Sequence, residues 1–323
     1  MAVFRNYDVE VVEGEIVLPA LPIQHRSSFQ EHVLPFSNID LTIPAFGVHV
    51  LFYYEKPSEI SITSVVSNLK ISLSKAFVSF DAFAGRLVSN GVGDTELVCN
   101  NKGVDAFAGR LVTSLAQVEF YNRIVAVADT LVTEFSCVGI VVGCTFDHRV
   151  TDAFSAKMFF RNETIKSITS FTRYILVPRD PPNCYSEIDK MYIKLQSLQQ
   201  PIKQIPEPRK ASRIYYLGAK DIEKLQHRAK KHGNNYISKL EFFSAYFWKL
   251  LIQCQEIKDT INCNIRIAID GRSHLKKMGM PANYFGNVLS TTFATANAGT
   301  IKEEPHSWVA KLIHDAINRA VNE

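Results

Sequence analysis

His148 and Asp152 stand four residues apart in VGIVVGCTFDHRVTDAFSAKMFF (Val138–Phe160), and of the nine histidines only this one has an aspartate at that spacing. An imidazole titrates close enough to neutral pH to accept a proton and later return it, so a histidine held at a rigid junction suits general base work. HxxxD alone is a short pattern, and the other reading of His148 is a hydrogen-bonded histidine at a strand end. The flanking residues supply the junction. Val138–Phe146 is short, β-branched and nearly uncharged, which predicts a strand buried on both faces. Thr151 and Asp152 are helix N-cap types, and Ala153, Phe154, Ala156, Met158 and Phe159 can wind into a helix with a broad apolar face. A helical start carries the Asp152 carboxylate away from the imidazole, which argues against a triad-like role for it.

Further segments extend the pattern. TFDHRVTDAFSAKMF is preceded by LPFSNIDL (Leu34–Leu41), FAGRLV (Phe83–Val88) and ELVCNNKGVD (Glu96–Asp105). It is followed by SRIYYL (Ser212–Leu217), KLEFFSAYFWK (Lys239–Lys249) and IDGRSHLKKMGMPANYFGNVLS (Ile269–Ser290). In these residues and in their order, over nearly its whole length, the chain resembles the BAHD acyltransferases, plant enzymes that move an acyl group from coenzyme A to an alcohol or amine. The resemblance implies an α/β fold of two chloramphenicol acetyltransferase-like domains, with mixed sheets and flanking helices and a reaction centre in a channel between them. It implies that His148 holds the catalytic position and that Asp152 is structural, paired with an arginine. Arg272 of IDGRSHL is the candidate partner, its alternative being an ordinary surface arginine. Ser238, Lys239 and Ser273 match segments that line the coenzyme A or acyl pocket in relatives; capping for Ser238 and solvated surface for Lys239 are the competing readings.

The same resemblance implies acyl-CoA as co-substrate, no bound cofactor, and a small alcohol as acceptor. IVLPALPIQ, LPFSNIDL and FGVHVLFYY most resemble hydroxycinnamoyl- and coniferyl-alcohol-type members. That points to phenylpropanoid secondary metabolism, with a hydroxycinnamoyl or acetyl group transferred.

Three features depart from the family pattern. DAFAGRLV occurs at Asp81–Val88 and again at Asp105–Val112, and a local duplication or a gene-model error accounts for it. The second copy is expected to pack poorly. The stretches before His148 and after Phe160 are short, and RNETIK stands where the helix would continue. The sequence ends at Glu323, in an expected helix (Trp308–Val321), before any DFGWG motif, so the resemblance implies a C-terminally truncated second domain. Tyr284, Phe285, Val288 and Leu289 are then expected to be incompletely covered. Two functions follow: an acyl-CoA-dependent O-acyltransferase or, alternatively, an impaired or inactive family member that at most binds acyl-CoA or a partner.

Composition sets the bounds. A chain of 323 residues, 46% hydrophobic, can bury a large core and suggests two domains. We expect an N-terminal domain over 1–177 carrying HxxxD, a proline-rich crossover over 178–210, and a partial C-terminal domain over 211–323. A formal charge of +4 with no basic block interleaved with aromatics argues against nucleic acid. The densest basic cluster, KLQHRAKKH (Lys224–His232), reads as the solvated side of a helix, with coenzyme A phosphates as the lesser reading. No apolar stretch approaches a membrane span and the N-terminus is charged, so a cytoplasmic location is expected; the chain is expected to be a monomer. The six cysteines form no CxxC and show no ligand spacing with histidine, so reduced, buried thiols and no metal are expected. Periodicity predicts strands at Tyr7–Val12, Val48–Tyr54, Arg213–Leu217 and Asn264–Asp270. It predicts helices at Ile62–Ala76, from Asp221, and from about Ser238 to Gln253.

Overall fold

The structure, a computed structural model, describes residues 10–22, 30–55, 59–91, 95–111, 128–135, 139–161, 170–171, 176, 216–230 and 237–322. The crossover at 178–210 lies outside the described residues, as do the starts of the strands expected at Tyr7 and Arg213. Two compact units emerge: one of residues 1–199 with 279–287, the other of residues 200–278 with 288–323.

The first unit is built on a five-stranded mixed sheet. Its strands are β1 (Glu10–Val17), β3 (Gly47–Glu55), β6 (Val104–Leu111), β7 (Ala128–Phe135) and β8 (Gly139–Asp147), in the order β1-β6-β7-β8-β3. Only β6 and β7 run parallel; the other neighbours are antiparallel. Ile140, Val141 and Val142 are buried in succession, so β8 is covered on both faces there, as its unbroken apolar run requires. A second, antiparallel sheet has the order β2-β5-β4, from β2 (His32–Leu34), β4 (Arg86–Ser89) and β5 (Thr95–Cys99).

Helix α1 (Asn38–Thr42) opens on a capping box between Ser37 and Asp40. Helix α2 (Ile62–Ala76) is capped by Ser61, and α3 (Ala153–Arg161) leaves the sheet directly after β8. The core joins Phe77, Phe80, Phe83, Phe146, Val150, Met158 and Phe285. Phe83 alone meets the rings of Phe146, Phe159 and Phe285 at centroid distances of 4.6–5.8 Å. Between α2, α3 and the sheet lies a cavity of about 500 Å³ lined by Phe52, Val65, Leu69, Ile140, Val142 and Cys144 among others; neither His148 nor Asp152 borders it.

Gly279–Asn287 belongs to this unit although residues 200–278 of the other unit precede it in sequence. Ser170 bridges to Tyr284, with the Ser170 amide donating to Asn283 O at 3.0 Å and the Phe285 amide donating to Ser170 O at 2.8 Å. Tyr284, Phe285 and Val288 are fully covered, contrary to the expectation drawn from the sequence; for the first two, the reason is that this segment packs into the first unit rather than waiting on a C-terminal cover.

The second unit carries α4 (Ala219–Lys230), α5 (Lys239–Cys254), β9 (Asn262–Asp270), α6 (Arg272–Leu275), β10 (Leu289–Asn297), α7 (Ala298–Glu303) and α8 (His306–Asn322). β9 and β10 pair antiparallel in continuous register from Leu289↔Asp270 to Asn297↔Asn262. Ala245, Trp248 and Ile252 of α5 pack with Ala294, Ile301, Val309 and Ile313. Lys249 is buried, and its ammonium donates to the carbonyls of Ile301, Lys302 and Glu304, closing the C-terminal end of α7. Burial lowers its pKa from the usual lysine value. No described helix is long and apolar enough to cross a membrane.

Candidate active site

β8 ends at Asp147, and the turn His148–Val150 delivers the chain to α3. Asp147 and Arg149 clamp that turn from both sides of His148. The guanidinium donates Nε to Asp147 Oδ1 at 3.0 Å and Nη2 to Oδ2 at 2.8 Å, a two-pronged pair, and Nη1 to Thr95 Oγ1 at 3.2 Å. The Arg149 amide also donates to Asp147 Oδ1 at 2.9 Å. Those bonds to Asp147 hold the guanidinium even more firmly protonated than usual. The His148 amide donates to Phe46 O at 3.1 Å and the ring packs on Phe46 with centroids 5.1 Å apart. Its Nδ1 is buried with no hydrogen-bond partner among the described residues.

A second brace comes from far along the chain. Asn287, fully buried, donates its amide nitrogen Nδ2 to His148 O at 3.0 Å, to Arg149 O at 3.1 Å and to Asp40 Oδ1 at 2.8 Å. Three acceptors around one atom fix that atom as the NH₂. Asp40, also fully buried, takes the Asn287 backbone amide on Oδ1 at 3.2 Å, while its Oδ2 takes the Ser37 amide and hydroxyl at 2.7 and 2.6 Å. The backbone of the His148 turn is thus tied through Asn287 to the first turn of α1.

Asp152 is buried and its Oδ1 accepts from the Ser155 amide at 3.0 Å, so it caps α3. The Ser155 hydroxyl in turn donates to Gly286 O at 3.1 Å and accepts from the Gly286 amide at 3.2 Å.

The remaining expected residues lie on the second unit. Arg272 begins α6; its amide and Nη1 both donate to Asp270 Oδ1, at 3.0 and 3.2 Å, and its side chain is largely covered. Ser273 follows it, exposed. Ser238 caps α5 through a box with Glu241: its hydroxyl accepts from the Glu241 amide at 3.2 Å, and the Glu241 carboxylate accepts from its amide. Lys239 is exposed on the first turn. The structure thus gives His148 and Asp152 adjoining places in one unit, and gives Ser238 the capping role.

Sequence reasoning passed over Asp40, Asp147, Arg149 and Asn287. Asp147 and Arg149 flank the histidine and were readable as a clamp. Ser37-x-x-Asp40 is a legible capping box, but nothing local marks Asp40 as the anchor of Asn287. Among the described residues the one grouping of metal-ligand side chains lies elsewhere, at His32, Asp81 and Cys99.

Comparison with known proteins gives this geometry its context. The chain is 28% identical to shikimate O-hydroxycinnamoyltransferase of Nicotiana tabacum over 347 residues, covering 98% of this chain and 77% of that protein. In fold it is similar to the crystal structure of vinorine synthase, with a TM-score of 0.66 at 18% identity over 96% of this chain and 76% of the other. It is also similar to TRI101 of F. graminearum complexed with coenzyme A and deoxynivalenol, with a TM-score of 0.67 at 14% identity over 91% and 76%. The model of the Transferase family matches residues 7–323, and with the HxxxD turn so braced the chain belongs to that family, the BAHD acyltransferases.

Proposed function

We propose that this acyltransferase moves a hydroxycinnamoyl or acetyl group from a coenzyme A thioester to the hydroxyl of a phenylpropanoid-type alcohol, with His148 as general base. The observation that carries the reading is the turn at His148, clamped by Asp147 and Arg149 and braced by Asn287. Nδ1 has no accessible surface, so the nitrogen offered to a substrate is Nε2, and the neutral ring then carries its proton on Nδ1. An alcohol is too weak an acid to ionise alone at neutral pH. His148 takes its proton as the oxygen attacks the thioester carbonyl, and the tetrahedral oxyanion collapses. The C–S bond breaks and the departing thiolate takes the proton back. Both substrates bind together, with no acyl-enzyme. The chain acts as a cytoplasmic monomer without a bound cofactor, the thioester arriving as co-substrate.

Similarity to a shikimate O-hydroxycinnamoyltransferase supports a hydroxycinnamoyl donor, and the coenzyme A held by TRI101 supports the thioester. Ser238, Lys239 and Ser273 are assigned to the coenzyme A or acyl side. Asp152 is assigned a pair with Arg272 in addition to its cap.

The test is thiol release over a panel of acyl-CoA donors and phenylpropanoid alcohols, with His148→Ala beside the parent. The parent should turn over and the variant should lose at least about a hundredfold in rate at an unchanged melting temperature. Retention of most of the rate removes His148 from the base role, and binding of acyl-CoA without thiol release from any donor favours the inactive-member reading. Asp152→Asn, which keeps the cap acceptor and removes the charge, should still destabilise by about 3 kcal/mol if the pair with Arg272 is buried. A change under about 0.5 kcal/mol leaves Asp152 a cap alone.

A further inference from the structure

We propose that His32 Nε2, a carboxylate oxygen of Asp81 and Cys99 Sγ form a three-donor site for a zinc ion, with the fourth position open to water. The three residues come from three separate segments, which is why no ligand spacing is visible in the sequence. Pairing of β2 with β5 sets His32 directly opposite Cys99. The short 3₁₀ turn Asp81–Ala84 brings Asp81 alongside. One ligand atom from each of the three residues lies within 4.8 Å of the others, and Nε2 is the His32 nitrogen that faces Asp81.

The geometry and the chemistry of the set agree. Zinc bonds of roughly 2.0–2.2 Å to nitrogen and oxygen at a tetrahedral angle separate those two donors by about 3.4 Å. His32 Nε2 and Asp81 Oδ2 are 3.4 Å apart. Zinc–sulfur bonds of about 2.3 Å put the sulfur about 3.6 Å from the other donors, so a shift of at most about 1.2 Å completes the set. Thiolate with imidazole and one carboxylate suits zinc, whereas magnesium and calcium prefer oxygen alone. Cys99 is wholly covered and the His32 side chain is 46% exposed, so the ion has a closed floor and an open mouth. On binding, the cysteine thiol proton passes to solvent and the thiolate takes the metal. The ion then ties the β2-β5 pair to the turn, a cross-link in a small sheet of three short strands. The site uses none of the groups that brace His148.

The experiment uses the full chain, stripped with chelator and kept reduced. Cobalt(II) is titrated as the spectroscopic probe and then displaced by zinc. One equivalent of cobalt should bind, with a sulfur-to-cobalt charge-transfer band and visible bands of tetrahedral intensity, and zinc should bleach both and raise the melting temperature. Cys99→Ser should abolish the charge-transfer band. His32→Gln, on an exposed strand position, should weaken binding by more than the roughly 10–100-fold typical of losing an outer-shell partner, with the metal-free melting temperature unchanged. If Cys99→Ser does not fold, His32→Gln alone decides. Absence of cobalt uptake overturns the proposal and leaves His32 and Asp81 an ion pair beside a buried thiol. So does a cobalt spectrum and affinity that His32→Gln leaves unchanged, since the metal then sits on other thiols.

Discussion

Asn287 acts on the HxxxD turn through the backbone alone, so its removal tests whether the histidine needs to be held or merely to be present. Asn287→Ala strips the His148 and Arg149 carbonyls of a donor, while Asp40 Oδ1 loses the side-chain donor and keeps the Asn287 backbone amide. Buried acceptors left without partners cost about 1–3 kcal/mol, more where charge is involved, so urea unfolding should report a loss of about 2–4 kcal/mol. Turnover should fall about tenfold or more while KM for the acyl thioester moves little, as expected when a reacting group is misplaced. Unchanged kcat in a folded variant would make the brace purely structural. The pair His148 and Asp152 was legible because five consecutive residues contain it, whereas Asp40 and Asn287 are 247 positions apart and only the fold makes them neighbours. A second prediction concerns Cys144 on β8, which borders the apolar cavity. Burial pushes its thiol pKa up from 9.0 to about 11, a weak contact from Thr130 notwithstanding. The folded state holds this proton more tightly than the unfolded chain. The stability this contributes is therefore present below pH 9.0 and lost as pH rises through about 11. The loss should be at most about 2–3 kcal/mol. Cys144→Ala should flatten urea-unfolding stability across that window, and a slope equal to the parent's would exclude Cys144 as its source.

One octapeptide adopts two structures here, which separates what local sequence decides from what pairing decides. In the first DAFAGRLV, Asp81–Ala84 form a 3₁₀ turn and Arg86–Ser89 form β4 on β5. In the second, Asp105–Leu111 run as continuous strand in β6, antiparallel to β1 and parallel to β7. No propensity scale can give both answers, so the partner strands override it. Of the second copy's packing, Ala106 is buried and the side chains after it lie outside the described residues. Gly85 and Arg86 hold the first copy in place. A Cβ on Gly85 would stand 2.5 Å from Val98 O, and Arg86 Nη1 donates to the carbonyls of Gly85 and Gly103 at 2.8 and 2.7 Å. Gly85→Ala should therefore force β4 off β5 and cost about 1–3 kcal/mol by thermal or urea unfolding, as overpacking does. A melting temperature equal to the parent's would mean the strands part easily. Helices α2, α5 and α8 and strands β3, β8 and β9 were legible for the opposite reason: their apolar period and length, with Ser caps on α2 and α5, agree with their packing.

Across the whole molecule the least legible feature was the division of the chain, because Gly279–Asn287 returns to the first unit without any change in composition to announce it. The domain limits 1–177 and 211–323 remain our proposal for the covalent order, and the spatial units cut across them. Among the described residues the second unit leaves an apolar face exposed. KLEFFSAYFWKLLIQC in α5 is apolar on all sides, a pattern expected of a helix enclosed all round. Its Ala245, Trp248 and Ile252 are enclosed, yet Leu240, Phe243, Phe247 and Leu251 are 63%, 42%, 49% and 44% exposed. Spaced three or four apart, these four share one helical face, and contiguous apolar surface of that kind promotes association and binds apolar dyes. The 323-residue chain should accordingly enhance the fluorescence of an apolar-surface dye while folded and lose solubility with rising salt. The double variant Phe243→Lys with Phe247→Glu should lower both effects, and since substitutions at exposed positions usually change stability by less than about 0.5 kcal/mol, its melting temperature should match the parent's. Equal dye fluorescence in the two proteins would refute exposure of that face. A sharp drop in melting temperature would show that the two rings are enclosed in solution, with α5 buried on every side as its sequence implies.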